Sequence, residues 1–234
     1  MTLTCILEAA LDYHHRDWSL IPIQPRTKVP ACPSWKPYQT ERADEAKLHH
    51  WFGSNGDQGV AVICGEVSGG LVVRDFDQMA AYERWAAEYP ELAETLPTVA
   101  TGRPGRHVYV RANIDQIRDL SPSRGSVLTF DDGEVRGGGY CLLPPSKHPN
   151  GNDYRWIVPL GDESPEVDLI SSGLLPCNRE DRVNTGGQRR LKTLVVLEEE
   201  TNGKHESTST LQLCHQDSLE TLSFQDSLLQ PNIK

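Results

Sequence analysis

The chain has 234 residues, of which 37% are hydrophobic and 24% are charged, and it carries a formal net charge of −10 at pH 7. That length and composition allow one large folded domain with an appendage. The excess of negative charge argues against a protein that binds nucleic-acid phosphates strongly and without sequence preference. No run of about 18 apolar residues occurs, so no membrane span is expected.

The N-terminus and the cysteines indicate the cellular compartment. The first residues lack a basic stretch and include an early carboxylate at Glu8, so a secretory signal is not expected. Six cysteines are scattered without a C-x-x-C spacing, which argues against a zinc knuckle and suits reduced thiols. We therefore predict a cytoplasmic protein.

The first part of the chain predicts helices and strands in alternation. Apolar residues at helical spacing predict an amphipathic helix over 3–16. Residues 18–23 predict a strand, in which Pro22 indicates an edge position. After a proline-rich loop, the pattern predicts a short helix over 44–53 and a buried strand over 59–64.

The next strand, over 71–77, ends in two carboxylates one residue apart. Side chains on a strand alternate between its faces, so Asp75 and Asp77 are expected on one face and Phe76 on the other. Two like charges this close are costly unless a cation lies between them, and a divalent metal ion is the simplest such cation. The alternative is that Asp77 only caps the helix predicted over 78–89.

Strands dominate the part of the chain that follows, after a short helix at 91–95. On the strand at 106–111, His107 and Tyr109 are expected to share one face. An Asn-Gly turn between the apolar runs at 139–145 and 154–158 predicts a β-hairpin. The other strands are predicted at 98–101, 126–130 and 134–136, with Asp131 and Asp132 as turn residues.

These elements predict an α+β fold with a mixed or antiparallel central sheet and flanking helices, because strands outnumber helices and several are joined by short turns. From Cys177 onward the chain is rich in Ser, Thr, Gln, Asn and Glu. We therefore predict a folded domain over 1–176 and a polar, largely disordered or loosely packed tail over 177–234.

Four motifs follow one another along the predicted domain: Asp-Phe-Asp at 75–77, Thr-Gly-Arg-Pro-Gly-Arg-His-Val-Tyr at 101–109, Glu-Val-Arg-Gly-Gly-Gly-Tyr at 134–140 and Pro-Pro-Ser-Lys-His at 144–148. In order and spacing they resemble the bifunctional DNA primase/polymerase (Prim-Pol) domain of the archaeo-eukaryotic primase superfamily. The resemblance runs from about residue 7 to about residue 158. It implies an RRM-derived catalytic core and a role in replicating a plasmid, a phage or another mobile element.

The resemblance also implies the chemistry, which is template-directed nucleotidyl transfer. A 3′-hydroxyl attacks the α-phosphate of an incoming NTP or dNTP, with two divalent cations, Mg²⁺ or Mn²⁺, at the site. Asp75, Asp77 and Glu134 are the implied metal ligands, and oxygen ligands suit both cations. Glu134 stands where many members of the family carry aspartate.

The remaining candidate site residues bind the nucleotide or the DNA. The resemblance assigns His107 to the triphosphate, and Ser146 is a candidate for the nucleotide pocket. Arg136 lies two residues beyond Glu134 on the same face, which suits a contact with a phosphate oxygen. Arg103, Arg106 and Lys28 are candidates for contacts with template or phosphate, although exposed turn arginines often face only solvent.

The expected partners are a single-stranded DNA template, NTP or dNTP, and a helicase or replication initiator. Members of this family usually continue into a helical primase domain and often a helicase, and neither pattern follows here. Primer extension is therefore expected more than de novo priming. The alternative function is a catalytically weak replication or DNA-binding module with the same fold that acts with a partner helicase. A metal-dependent phosphohydrolase is a third reading of the acidic cluster.

Overall fold

The structure is a computed structural model that describes residues 5–53, 57–121, 123 and 125–175, together with strands at 195–197, 210–215 and 218–223. The chain forms two compact units, residues 1–188 and 189–234. Most of the predicted tail lies outside the described residues, so the boundary at residue 176 stays a prediction. In the described part of the chain, no helix is long and apolar enough to cross a membrane.

The first unit has five α-helices and nine strands within its described residues. The helices are α1 (Ile6–His15), α2 (Glu45–Phe52), α3 (Met79–Glu88), α4 (Pro90–Thr95) and α5 (Asp115–Leu120). The strands are β1 (Ser19–Ile23), β2 (Gly59–Ile63), β3 (Leu71–Phe76), β4 (Thr98–Ala100), β5 (Arg106–Arg111), β6 (Val127–Phe130), β7 (Gly133–Arg136), β8 (Tyr140–Leu143) and β9 (Arg155–Val158). Short 3-10 helices lie at Lys36–Gln39 and Glu66–Ser68.

These strands form two antiparallel sheets. The larger sheet has the order β6-β7-β3-β5-β4-β9, and the smaller has the order β1-β2-β8. The α+β prediction is confirmed, and β1, which contains Pro22, lies at a sheet edge as predicted. The second unit contains a separate antiparallel sheet of β10 (Val195–Leu197), β11 (Thr210–His215) and β12 (Ser218–Ser223).

The hairpin predicted around the Asn-Gly turn forms only locally, because Lys147 and Asp153 make an isolated antiparallel bridge while the longer runs on either side do not pair with each other. β8 pairs with β2 in the smaller sheet, whereas β9 pairs with β4 in the larger one. The turn itself is present, since Gly151 N–H donates to the carbonyl of His148 at 2.8 Å. All of β8 except its first residue is buried, while β9 alternates between exposed and half-buried positions. Each run therefore suits a different sheet, and burial outweighed the local turn signal.

The larger sheet has an apolar layer on each face, and β3 supplies both layers. Val73 belongs to the cluster shared with the smaller sheet, α1 and α2. Val72 and Phe76 belong to the cluster covered by α3 and α5. The period-two alternation of β3 therefore places Asp75 on the face of the smaller sheet and Arg74 on the face of the helices. This division decides which side chains can meet at the site.

Candidate active site

Three neighbouring strands bring two acidic residues and a histidine into one row across the larger sheet. Asp75 on β3 lies directly opposite His107 on β5 and directly opposite Glu134 on β7. Directly opposed residues in an antiparallel pair place their Cβ atoms about 4.5–5.5 Å apart on the same face. The row Glu134–Asp75–His107 therefore lies on the face of the smaller sheet.

His107 is held at both ring nitrogens. Its Nε2 lies 3.3 Å from Asp75 Oδ1, and its Nδ1 lies 3.2 Å from the hydroxyl of Tyr109. That hydroxyl also donates to the carbonyl of Leu142 at 3.3 Å. Because His107 and Tyr109 are both buried, the imidazole has a fixed orientation towards Asp75.

Asp75 and His107 each favour the charged form of the other. Burial opposes the charged form of Asp75, but the positive charges of His107, Arg136 and Lys28 outweigh it and lower the pKa of this carboxyl below its ordinary value. Burial likewise opposes protonation of His107, but Asp75 outweighs it and raises the pKa of the imidazole. Lys28 therefore contributes to the electrostatics of the carboxylates.

Asp77 stands just beyond the end of β3. Its backbone N–H donates to the carbonyl of Asp132 at 2.8 Å, and its carboxylate makes no hydrogen bond with any residue that the structure describes. Burial and repulsion from Asp75 raise the pKa of the Asp77 carboxyl. The reading of Asp77 as a helix cap is wrong, because the residue before α3 is Gln78 and no side chain caps that helix.

Glu134 and Arg136 extend the site away from His107. Arg136 donates from Nη2 to Glu134 Oε2, and Thr129 donates to Glu134 Oε1 at 3.3 Å. Burial opposes the positive charge of Arg136, but nearby negative groups, Glu134 and Asp75 among them, raise its pKa. Both side chains remain about a quarter exposed, at 24% for Glu134 and 27% for Arg136. A ligand can therefore reach this side of the row.

The chemistry of the donor set fits a hard divalent cation. Asp75, Asp77 and Glu134 offer only carboxylate oxygens, which Mg²⁺ and Mn²⁺ prefer. Within the described ranges, no group of three or more His, Cys, Asp or Glu side chains is arranged to hold a metal ion. Two of the three carboxylates instead contact internal cations, Asp75 to His107 and Glu134 to Arg136. Asp75 and Glu134 would have to leave these partners before they could bind a metal ion.

The hydroxyl of Ser146 is hydrogen-bonded to the backbone of β2. Its buried hydroxyl donates to the carbonyl of Val60 at 3.0 Å and accepts from the N–H of the same residue at 2.8 Å. The hydroxyl thus holds the segment after β8 against β2. Its predicted role in the nucleotide pocket stays a prediction, because none of its described contacts involves the carboxylates.

Arg103 and Arg106 line a cavity of about 430 Å³ at the ends of β4, β5 and β9, together with Arg155. Arg106 lies opposite Phe76 and its guanidinium lies over the ring of Tyr82, so this side chain is on the face of the helices. None of the three arginines forms an ion pair with a carboxylate in the described part of the chain. Their positive charge is available to an anion.

The sequence reasoning missed Tyr109 as the partner of His107 and missed Arg74 altogether. Tyr109 could have been found from its position two residues beyond His107 on the same face. The signal for Arg74 was a basic residue next to Asp75 inside the otherwise apolar strand Leu71–Phe76. That side chain lies directly behind the carboxylates, with only 1% of it exposed.

Comparison with protein-family models gives one match. The model described as "Bifunctional DNA primase/polymerase, N-terminal" matches residues 10–167, a range that contains all nine strands of the first unit and the whole carboxylate row. Comparison with curated proteins found no relative.

Proposed function

The chain belongs to the bifunctional DNA primase/polymerase N-terminal (Prim-Pol) family, and from this premise we propose that it is a metal-dependent nucleotidyltransferase that extends a primer on a single-stranded DNA template. The observation that carries the proposal is the row Glu134–Asp75–His107, with Asp77 at the end of the same strand as Asp75. The row brings two carboxylates and an imidazole together from positions far apart in the sequence, and a third carboxylate lies just beyond the end of β3.

In this proposal Asp75, Asp77 and Glu134 hold two divalent cations, Mg²⁺ or Mn²⁺. The bound cations supply Lewis acidity at the α-phosphate and neutralise the charge that develops on the leaving pyrophosphate. The protein contributes the positions of the carboxylates, which the register of β3, β5 and β7 fixes. If these carboxylates held the cations, His107 and Arg136 would be released from Asp75 and Glu134 and could contact the substrate.

His107 and Arg136 then donate to the oxygens of the triphosphate. Both lie beside the carboxylates, His107 at Asp75 and Arg136 at Glu134. Charge-assisted donors of this kind form short, strong contacts with phosphate. Tyr109 keeps the imidazole aimed in one direction through Nδ1. Lys28 adds a third positive charge next to the acidic pair.

We assign the DNA strand to the arginine-lined cavity. Arg103, Arg106 and Arg155 offer guanidinium groups that form no ion pair with a described carboxylate, at the strand ends that adjoin the end of β3. Because the whole chain carries a net charge of −10, affinity for DNA is expected to be weak and strongly salt-dependent. A helicase or replication initiator would therefore deliver the template, in the cytoplasm and during replication of a plasmid, a phage or another mobile element.

Primer extension tests the proposal. The purified chain is incubated with Mn²⁺ or Mg²⁺, labelled nucleotides, and primed or unprimed single-stranded DNA. The wild type is expected to extend the primer, while Asp75→Asn and Asp77→Asn remove the activity. The matched control is Asp115→Asn, an exposed aspartate on α5 outside the row. Equal extension by the wild type and Asp75→Asn would contradict the proposal.

One observation favours the second candidate, a catalytically weak module that binds DNA with a partner helicase. Asp75 contacts His107, and Glu134 contacts Arg136. If Asp75 and Glu134 keep these partners, they would hold no divalent cations. The chain would then bind DNA equally well with or without its carboxylates. DNA binding by Asp75→Asn at wild-type strength, together with no incorporation by the wild type, would select this candidate.

A further inference from the structure

Arg74 is the buried charge that the proposed reaction does not use. Among the lysines, arginines, aspartates and glutamates that the structure describes, it alone is buried. It lies opposite Val108 and Val135, in the apolar layer beneath the helices. A guanidinium in such a layer costs several kcal/mol unless it is paired and hydrogen-bonded. Its partners should therefore reveal why it is there.

Those partners are the backbone and side-chain groups that surround the three carboxylates. Nη1 donates to the carbonyl of Asp75 at 2.8 Å and to that of Glu134 at 3.4 Å. Nη2 donates to Asp132 Oδ1 at 2.5 Å. Asp132 in turn accepts the N–H of Asp77 at its carbonyl, at 2.8 Å. One side chain thus contacts two of the carboxylate-bearing residues directly and the third through Asp132.

Packing fixes the guanidinium in this position. Its central carbon lies 4.1 Å from the ring centroid of Phe76 and 5.6 Å from that of Phe130. A planar group with several donors in a fixed fork can bridge three acceptors while it stacks on aromatic rings, which a lysine ammonium cannot do. The contacts tie β3 to the β6–β7 hairpin from the face opposite the carboxylates.

We propose that Arg74 is a positioning residue that sets the separation of Glu134 from Asp75 and Asp77, and thereby the affinity of the site for its divalent cations. The inference rests on the proposed function, because it takes these three residues as the metal ligands. Arg74 touches neither metal nor nucleotide and acts only through the backbone and Asp132. The competing role is simple stabilisation of the apolar layer.

The experiment compares Mn²⁺ binding by the full chain in Arg74→Met, Asp132→Ala and Val110→Ala. Val110 is a fully buried residue of the same apolar layer without contact to the carboxylates, so its variant controls for lost stability. Bound Mn²⁺ is measured from the loss of the free-ion electron paramagnetic resonance signal, below the melting temperature of each variant. Loss of an indirect support typically weakens metal binding by about 10- to 100-fold, and we expect this for Arg74→Met and Asp132→Ala. Val110→Ala should bind Mn²⁺ like the wild type.

Wild-type Mn²⁺ affinity in folded Arg74→Met overturns the inference, and so does an equal loss of affinity in Val110→Ala. If Arg74→Met does not fold, Asp132→Ala decides, since the side chain of Asp132 is 20% exposed and its loss leaves no cavity in the core. Steady-state extension adds a second readout, in which kcat falls while the KM for nucleotide changes little because His107 and Arg136 remain. A wild type that binds Mn²⁺ but extends no primer refutes the proposed function alone. A wild type that binds no Mn²⁺ refutes both.

Discussion

The hydroxyl of Tyr109 meets His107 at Nδ1, the ring nitrogen that Asp75 does not contact. Both residues lie on β5 with their side chains on the same face, and the Tyr109 ring stacks on that of Trp18 with centroids 5.9 Å apart. The imidazole is thus supported from within the core. In the proposed reaction, this support decides how well His107 is aimed at the triphosphate.

Replacing Tyr109 by phenylalanine removes this support together with the hydrogen bond to the carbonyl of Leu142. We expect a loss of about 1–3 kcal/mol in the free energy of unfolding, because two buried hydrogen bonds are lost and each typically contributes about 0.5–1.5 kcal/mol. The KM for nucleotide should rise several-fold while kcat changes less, because the imidazole loses its orientation. Tyr154→Phe is the matched control, since Tyr154 is buried beside His107 but its hydroxyl makes no hydrogen bond with any described residue. An unchanged KM in Tyr109→Phe would contradict the role of the hydroxyl.

The Asp75–His107 pair predicts a pH window for stability. The pKa of His107 is raised above its usual value of about 6.5, so its contribution is complete below that pH and is lost as the pH rises through the folded-state pKa. The pKa of Asp75 is lowered below about 3.9, so its contribution is present above that pH and is lost as the pH falls through the folded-state pKa. The pair therefore stabilises the fold most between about pH 4 and 6.5.

We accordingly expect His107→Gln to reduce the free energy of unfolding more at pH 5.5 than at pH 9. Urea denaturation of wild type and variant at the two pH values measures the difference. His49→Gln, an exposed histidine on α2, shows how much of the effect any histidine gives. An identical loss of unfolding free energy at both pH values would show that Asp75 and His107 do not form an ion pair.

Gly133 allows β7 to approach β3 closely. Its φ is +140°, and a Cβ atom there would lie 1.9 Å from the carbonyl oxygen of Asp75. Gly133→Ala should therefore cost at least about 1–3 kcal/mol of stability through backbone strain, and it should weaken Mn²⁺ binding because Glu134 must move. Gly69→Ala is the control, since its φ is +67° but a Cβ atom there would meet nothing within 4 Å. Thermal unfolding and Mn²⁺ titration are compared between the two variants. The difference separates the effect of the steric clash at Gly133 from that of the backbone strain, which both variants share.

Arg155 provides the test of the arginine-lined cavity. Arg155→Ala should weaken the binding of single-stranded DNA of any sequence, and it should reduce the salt dependence of binding by about one released counterion. Fluorescence anisotropy at several salt concentrations gives both quantities. Arg84→Ala, which removes an exposed arginine from α3, is the control for net charge. A salt dependence that is unchanged in Arg155→Ala would place the DNA elsewhere.

The alternation of residues along each strand predicted on which face a side chain lies, but it did not predict which strands pair. Alternation along 71–76 and 106–111 was enough to place Asp75 and Phe76 on opposite faces, and His107 and Tyr109 on the same face, because the period of a strand is two residues. That β3 lies between β5 and β7 required the whole sheet, since strand pairing depends on burial and long-range contacts. The same limit explains why the hairpin at the Asn-Gly turn does not extend into β8 and β9.

The Arg74–Asp132 pair lay beyond sequence reasoning for a different reason. Within Leu71–Phe76 the arginine interrupts an apolar run, and Asp132 has the composition of an ordinary turn residue. Only the folded hairpin brings the two side chains within hydrogen-bond distance, across a long stretch of sequence. The short helix α5 was also missed, because it has no start signal such as the proline that begins α4, a predicted helix of the same length.

The carboxylate row is not equally anchored along its length. β3 lies between two neighbours inside the six-stranded sheet, whereas Glu134 belongs to the terminal two-strand ribbon formed by β6 and β7. Outer elements of a sheet open locally at a lower free energy than its centre. Fraying of this ribbon would separate the third carboxylate from the other two while the rest of the domain stays folded, so on warming polymerisation should cease before the protein melts.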